Sequence, residues 1–386
     1  MKYHFIQNTD NLKALPEPWK IIAFDKIFKD VSSGNKRVKK SEVNNEGKYP
    51  VIDQGQEFIA GFTNDEKALI KTPPPHIVFG DHTRIFKFIE FPFIIGADGT
   101  KCLKIIDENI NDAKYLYYFL RTLNIPNTGY NRHYKYLKEA KIPLPPLPIQ
   151  ERIASILDDA AALRDKTEQL LSEYDLLAQS LFLEMFGDLS GNILPLSHCC
   201  EINPTKSEIK DIDKETEVSF LPMKDVGEDG SLSLNEVRKI KEVWTGYTYF
   251  QSDDVILAKI TPCMENGKST ILKNMVNGIG FGSTEFHVLR PIKGLSTSAW
   301  IFHLIRSNNF RKIAEQNMRG SAGQKRVPTF FFDNFKVNLP SIDLQNQFAE
   351  KIRLIERQKE IVRQELKESE DLFQALLQQA FRGELV

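Results

Sequence analysis

One string occurs twice in this chain, 195 residues apart, and each copy runs into the same kind of long amphipathic segment. Lys141-Ile142-Pro143-Leu144-Pro145-Pro146-Leu147-Pro148-Ile149-Gln150 returns as Lys336-Val337-Asn338-Leu339-Pro340-Ser341-Ile342-Asp343-Leu344-Gln345. Both segments stop at a Phe-Gly element, Phe186-Gly187-Asp188-Leu189 and Phe381-Arg382-Gly383-Glu384-Leu385, at the same offset. A constant offset means that one duplicated unit spans the whole chain. The fold must therefore accommodate two copies of one rod, each preceded by a globular segment.

From Ile149 apolar residues recur at spacings of four and three: Ile149, Ile153, Ile156, Ala160, Leu163, Thr167, Leu170, Tyr174, Leu177 and Leu181. The second copy traces Phe348, Ile352, Ile355, Lys359, Val362, Leu366, Ser369, Phe373, Leu376 and Ala380. These are heptad seams on helices, opened by proline and free of helix breakers until the Phe-Gly stop. A helix of about 38 residues would be about 57 Å long. One apolar stripe on so long a helix needs a partner. The duplicate serves, with Ile153, Ile156, Leu163, Leu170 and Leu177 expected to pack against Ile352, Ile355, Val362, Leu366 and Phe373 in an antiparallel coiled coil. The other reading folds each helix back onto its own globular segment.

The intervening segments carry many short β-runs bounded by Gly, Asp, Asn and Pro, such as Ile77-Val78-Phe79 and Val255-Ile256-Leu257, followed by helical stretches at residues 113–122 and 297–315. The expected fold class is α+β: two α/β domains, residues 1–145 and 190–340, alternating with helical spacers at 146–189 and 341–386.

The formal net charge of −1 conceals an uneven distribution. Residues 149–189 hold 9 acids and 3 bases, residues 341–386 hold 9 acids and 7 bases, and the remainder holds 34 acids against 41 bases. That excess permits phosphate contacts and equally suits a solvated surface of mixed sign. Cys102, Cys199, Cys200 and Cys263 form neither a CxxC pair nor a spaced Cys/His set, so neither zinc nor a disulfide framework is expected. The amino terminus shows no signal-peptide core and no apolar run is long enough to span a membrane, so a cytoplasmic location is expected.

Local strings then point to one family. Gly80-Asp81-His82-Thr83-Arg84 and Phe93-Ile94-Ile95-Gly96-Ala97-Asp98-Gly99 stand in the first globular segment. The second holds Ile260-Thr261-Pro262-Cys263-Met264-Glu265-Asn266-Gly267-Lys268, Gly282-Ser283-Thr284-Glu285-Phe286-His287-Val288-Leu289-Arg290-Pro291 and Gly320-Ser321-Ala322-Gly323-Gln324-Lys325-Arg326-Val327-Pro328. In order, on a duplicated frame, they resemble the specificity subunit of a type I restriction-modification enzyme over nearly the full length. One departure is Asp253-Asp254, where the family usually has Gly-Asp; Asp tolerates a left-handed backbone less readily than Gly.

The resemblance implies two target-recognition domains that read a split, asymmetric sequence in double-stranded DNA. It also implies rods that dock two methyltransferase subunits bringing S-adenosylmethionine, and nuclease or translocase subunits bringing ATP and magnesium. Base edges are read by donors and acceptors on short loops. The first domain offers His82, Thr83, Arg84, Asn131, Arg132 and His133; the second offers Lys259, Asn266, Lys268, Ser283, Thr284, Gln324, Lys325 and Arg326. Each is equally readable as a turn or surface side chain. Arg84, Lys325 and Arg326 are expected against DNA, and Asp81 and Glu285 are expected to organise loops.

Catalytic readings fail on spacing. Gly267-Lys268-Ser269 has Pro262 where a phosphate loop needs Gly, and Gly278-Ile279-Gly280-Phe281-Gly282 precedes a strand-like run instead of opening a helix. Asn203-Pro204-Thr205 lacks the aromatic residue of an adenine-methyltransferase motif. The chain is therefore read as a recognition subunit with no cofactor, metal site or catalysis of its own; a tandem protein-interaction scaffold and a single-chain enzyme are the rivals.

Overall fold

The computed structural model describes residues 15–96, 98–129, 131–187, 193–321 and 323–386. The amino-terminal reading, Asp188-Leu189 of the first Phe-Gly element, and Ala97 and Ala322 of the motifs lie outside the described residues. The chain forms two compact units, one of Met1–Glu168 with Gln364–Val386 and one of Gln169–Arg363. Each long helix is thus divided between the units, whereas the sequence reading made each rod a segment of its own.

In the first unit, β1 (Lys20–Ala23) pairs antiparallel with β9 (Lys141–Leu144), bringing the start of the globe to its end. After α1 (Phe24–Ile27), β2 (Phe28–Asp30) joins an antiparallel sheet of order β2-β8-β5-β6, with β5 at His76–Gly80, β6 at Phe86–Ile89 and β8 at Thr100–Ile105. A second sheet, β4-β3-β7, holds β3 (Tyr49–Ile52), β4 (Gly61–Thr63) and β7 (Ile94–Ile95), the last parallel to β3. Helix α2 (Ala113–Thr122) starts at Asp112, whose carboxylate accepts the Tyr115 amide at 2.7 Å, a side-chain N-cap. It buries Tyr115, Leu116, Phe119 and Leu120. Helix α3 (Tyr134–Leu137) precedes β9.

The second unit repeats this plan. Strand β10 (Ile193–Pro195) pairs antiparallel with β19 (Lys336–Asn338). One sheet has the order β11-β18-β15-β16, from Cys200–Ile202, Phe286–Pro291, Val255–Ala258 and Ser269–Ile271. The other has β13-β12-β17, from Glu236–Lys239, Glu217–Leu221 and Ile279–Gly282, with β12 and β17 parallel. It gains an edge strand, β14 (Thr248–Gln251), where the second globe is longer than the first. Helices α5 (Ile240–Val243), α6 (Ser298–Arg306), α7 (Asn308–Asn317) and α8 (Phe331–Asn334) complete it. Apart from β14 the two strand orders match, although only the rods repeat visibly in sequence.

The rods are α4 (Leu147–Phe186) and α9 (Ile342–Arg382). In the first unit Ile153, Ala154, Leu157 and Ala160 of α4 share a core with Phe373, Leu377, Ala380 and Phe381 of α9, and with Tyr115 and Phe119 of α2. In the second unit Ala178, Phe182 and Phe186 of α4 share one with Phe348, Ile352 and Ile355 of α9. Phe182 and Phe186 both meet Phe348 edge-on, and Lys359 Nζ reaches the Asp175 carboxylate at 2.7 Å. Contacts that pair rising numbers on α4 with falling numbers on α9 make the helices antiparallel. Each fully buried phenyl ring here contributes on the order of 2–3 kcal/mol.

The seam of α4 differs from the expected one. Leu163, Leu170 and Leu177 are 51%, 37% and 51% exposed, and Ile156 is half-buried. The buried stripe runs through Ile153, Leu157, Ala160, Thr167, Ala178 and Phe182. Ile153, Ala160 and Thr167 of the expected seam are thus buried and its leucines are not, their places being taken by Leu157, Ala178 and Phe182. On α9 the expected stripe faces inward, with Ile352, Ile355, Val362 and Phe373 buried and Leu366 half-buried, while Leu354, Ile361 and Leu372 are exposed. Its polar interruptions are resolved locally, Ser369 by a bond to the Leu366 carbonyl and Lys359 by Asp175 and Glu356.

Each rod is anchored by its own copy of one glutamine. Gln150 is fully buried; its Oε1 accepts the Asp112 amide at 2.8 Å and its Nε2 donates to the carbonyls of Pro145 (2.7 Å) and Ile110 (3.0 Å). Gln345, also fully buried, accepts the Thr297 amide at 2.9 Å and donates to the carbonyls of Leu295 (2.9 Å) and Pro340 (3.0 Å). Asp112 and Thr297 are the N-caps of α2 and α6. Among the described residues no helix is long and apolar enough to cross a membrane, and all four cysteines are free thiols.

Replacing Gln345 by Leu strands a buried amide hydrogen and two carbonyls. A loss of about 3 kcal/mol is expected in denaturant unfolding, with Gln345→Glu, which buries a carboxylate against the Leu295 and Pro340 carbonyls, at least as destabilising at neutral pH.

Candidate nucleic-acid interface

In the first unit the hairpin between β5 and β6 closes through Gly80, whose amide donates to Ile85 and whose carbonyl accepts Arg84 N at 2.7 Å. Arg84 takes the left-handed conformation this turn requires, with φ at +64°. Its Nη1 points back to the Ile125 carbonyl at 3.3 Å, and its Nε is buried without a hydrogen-bond partner. Asp81 is buried and organises the turn: its carboxylate accepts Tyr134 N at 2.7 Å, and its carbonyl accepts His133 N at 2.8 Å. His133 Nδ1 lies 2.9 Å from the same carbonyl, so that nitrogen carries the proton.

The candidates consequently separate. His133 is fully buried and acts within the fold, contrary to its expected place at a DNA surface. Its ring is used up locally, because a second nitrogen faces the Thr128 amide at 3.4 Å. Thr83, Asn131 and Arg132 are exposed, and His82 is half-exposed with Nδ1 at 3.1 Å from the Asn131 carbonyl. The sequence reading passed over the loop after β3, where the Gln54 carbonyl accepts Thr83 Oγ1 at 2.6 Å. Its signal was faint: a polar, glycine-containing run, Asp53-Gln54-Gly55-Gln56, directly after a strand.

In the second unit residues 259–261 and 325–327 form a short ladder: Thr261 N donates to Lys325 O at 3.0 Å and Val327 N to Lys259 O at 2.9 Å. Arg326 makes a two-bond fork with Glu285, both at 2.8 Å. That fork holds the Glu285 carboxyl below its usual range and raises the guanidinium. Burial lowers Lys259. Lys268 Nζ lies 3.5 Å from the Met223 carbonyl, Asn266 Nδ2 donates to Glu228 at 2.7 Å, and Ser283 Oγ accepts the Glu285 amide at 3.2 Å. Asn266, Thr284, Gln324 and Lys325 are exposed. His287, beneath this surface, donates to the Val327 carbonyl from Nε2 at 2.8 Å, and burial pushes its pKa down to about 4.

One backbone arrangement underlies both surfaces. Asp81 N donates to Gly99 O at 2.7 Å while Asp81 O accepts His133 N; Lys259 N donates to Glu285 O at 2.9 Å while Lys259 O accepts Val327 N. In each unit, therefore, the residue after the sheet strand ties the loop following the parallel strand pair to a third, later loop. The side chains on this shared frame differ between the units.

The strings once weighed as catalytic are structural. Ser269 opens a strand, not a helix, so Gly267-Lys268-Ser269 lacks the helix a phosphate loop needs. Gly280 and Gly282 lie in β17, where added Cβ atoms would collide with the Phe250 ring and the Leu221 carbonyl respectively. Asp253, the departure from Gly, still adopts the left-handed backbone at φ +70°. Among the described residues no three His, Cys, Asp or Glu side chains are grouped to hold a metal ion.

Comparison with known proteins agrees with these features. Residues 16–173 match the type I restriction modification DNA specificity domain. The chain is 44% identical over 154 residues to the EcoAI specificity subunit of Escherichia coli, covering 39% of this chain and 26% of that protein. It is 38% identical over 206 residues to the EcoEI specificity subunit of Escherichia coli, covering 51% and 34%. The matches thus span about a quarter to a third of the length of these curated relatives. Among solved structures, the S subunit of a type I restriction-modification system from M. genitalium aligns over 94% of this chain and 96% of its own, with a TM-score of 0.50 and 18% identity. A chain from a structural study of assembly and conformational transition in a type I system aligns over 96% and 99%, with a TM-score of 0.51 and 14% identity. These two likenesses establish a shared fold. Residues 16–173 thus carry a type I restriction modification DNA specificity domain, and the chain shares over nearly its full length the fold of a type I restriction-modification S subunit.

Proposed function

We propose that this chain is the non-catalytic DNA-reading subunit of a cytoplasmic type I restriction-modification complex, each globular segment recognising one half of a split, asymmetric site. The observation that carries this reading is the three-loop frame built twice with different exposed side chains. Thr83, Asn131 and Arg132 stand on the first copy; Asn266, Thr284, Gln324 and Lys325 stand on the second. Two different donor and acceptor sets on one frame suit two different half-sites. In this reading residues 1–145 and 190–340 are the recognition domains, and the helical spacers at 146–189 and 341–386 dock two methyltransferase subunits. Those partners supply S-adenosylmethionine chemistry, and nuclease or translocase subunits supply ATP and magnesium.

The test is to co-express the chain with its cognate methyltransferase subunit and map methylated adenines on a random-sequence DNA library. One split, asymmetric motif is the expected result. A stable complex that methylates no motif specifically would favour a tandem protein-interaction scaffold. The rods supply a second test: deleting one heptad from each, about 10 Å of helix, is expected to change or abolish the tolerated spacer while leaving both half-site sequences intact.

Single cations should separate by their contacts. Lys325→Ala is expected to weaken binding across all sequences and to reduce the salt slope by about one. Arg326→Ala removes the fork to Glu285 and is expected to relax preference in the second half-site instead, read from the same methylation map and a salt titration.

A further inference from the structure

The loop after β3, residues 53–60, supplied none of the candidate contacts read from sequence, yet it holds the others in place. Its floor is Lys87 on β6, only 4% exposed. The ammonium donates to the carbonyls of Asp53 at 2.9 Å and Glu57 at 2.6 Å, with the Asp53 carboxylate at 3.7 Å. A buried ammonium is tolerated only where it is paired and hydrogen-bonded, and these partners give the loop one conformation.

From this floor Gln54 reaches two other loops at once. Its backbone carbonyl accepts Thr83 Oγ1 at 2.6 Å, its side-chain Oε1 accepts His82 N at 3.1 Å, and its Nε2 donates to Asp98 O at 2.9 Å. The first two bonds hold the β5–β6 hairpin tip, and the third holds the loop after β7. Two glycines make the room. A Cβ on Gly99, at φ +86°, would lie 2.7 Å from Gln54 Nε2 and 2.8 Å from Oε1. One on Gly80 would lie 3.0 Å from Gln54 Cβ and collide with Thr83 Oγ1. A primary amide presents a donor nitrogen and an acceptor oxygen side by side at one end. A carboxylate would lose the bond to Asp98 O, and a thioether would lose both.

We propose that Gln54 is a positioning residue for base discrimination by the first recognition domain. It sets the hairpin tip carrying His82 and Thr83 against Asp98, so that the polar groups of the tip meet one pattern of base edges. Recognition groups discriminate only when their supporting shell holds them within a fraction of an ångström. The inference rests on the DNA-reading function proposed above.

The experiment uses the full chain co-expressed with its cognate methyltransferase subunit, with methylation mapped on a random DNA library for wild type, Gln54→Met and Gln54→Glu. For Gln54→Met, preference at one or more positions of one half-site should fall tenfold or more. The other half-site, the spacer and the salt slope should be unchanged, which a general loss of folding would not produce. Gln54→Glu keeps the bond from His82 N and should show a smaller loss at the same positions; where Gln54→Met yields no complex, Gln54→Glu decides by the same criterion. An unchanged motif overturns the role of Gln54 and leaves the DNA-reading function standing. Equal decay of both half-sites overturns it as well. A wild-type complex with no split motif overturns that function and this inference together.

Discussion

A fully buried glutamine at the start of each rod connects the local and the long-range structure of this protein. A helix announced by proline has a defined start, but nothing in its own backbone says where that start sits on a globe. Gln150 and Gln345 answer this with three hydrogen bonds each. One bond reaches the N-cap residue of a helix in the globe, one reaches the carbonyl just before it, and one returns to the proline stretch that precedes the rod. Because an amide buried without partners is costly and one with all partners is not, the site admits a single register between rod and globe. The lysine, leucine, proline and glutamine of the repeated string stand where this lock is built, and the globes are free to differ above it.

A second economy is made in backbone. The bonds joining Asp81 to Gly99 and His133 recur between Lys259, Glu285 and Val327. Since N–H and C=O groups are the same on every residue, the frame survives the exchange of an acid for a base at its centre. The side chains above it can then vary without disturbing the fold, which is what a protein reading two different half-sites would require.

The sequence disclosed the rods and their antiparallel partnership, because these rest on periodicity and duplication, whereas the left-handed turn that Asp253 adopts was put in doubt by the loss of glycine there. It misdirected on part of α4, where Leu163, Leu170 and Leu177 keep the same seven-residue spacing as the buried Ile153, Ala160 and Thr167 and a count of apolar positions has no means of telling the two sets apart. His133 was misplaced because a histidine in a loop has the same appearance whether its ring faces solvent or a carbonyl. Gln54 left almost no trace: its importance lies in partners that are adjacent only after folding. The duplicated backbone frame was invisible for the same reason that it is durable, since it is written in groups every residue shares.

On the proposed function, the distribution of cations says how recognition would be divided between charge and hydrogen bonding. Arg84 turns back to the Ile125 carbonyl, Arg326 is engaged by Glu285, Lys268 approaches the Met223 carbonyl, and burial lowers Lys259. Arg132 and Lys325 remain among the exposed candidates, beside neutral Thr83, Asn131, Asn266, Thr284 and Gln324. Few phosphates could be neutralised by such a set, and each one neutralised contributes close to one unit of salt slope. Recognition by this set of side chains would then draw its specificity from amides and hydroxyls held in rigid loops. That division makes the stiffness of the loops, rather than the number of positive charges, the property on which reading the correct sequence depends.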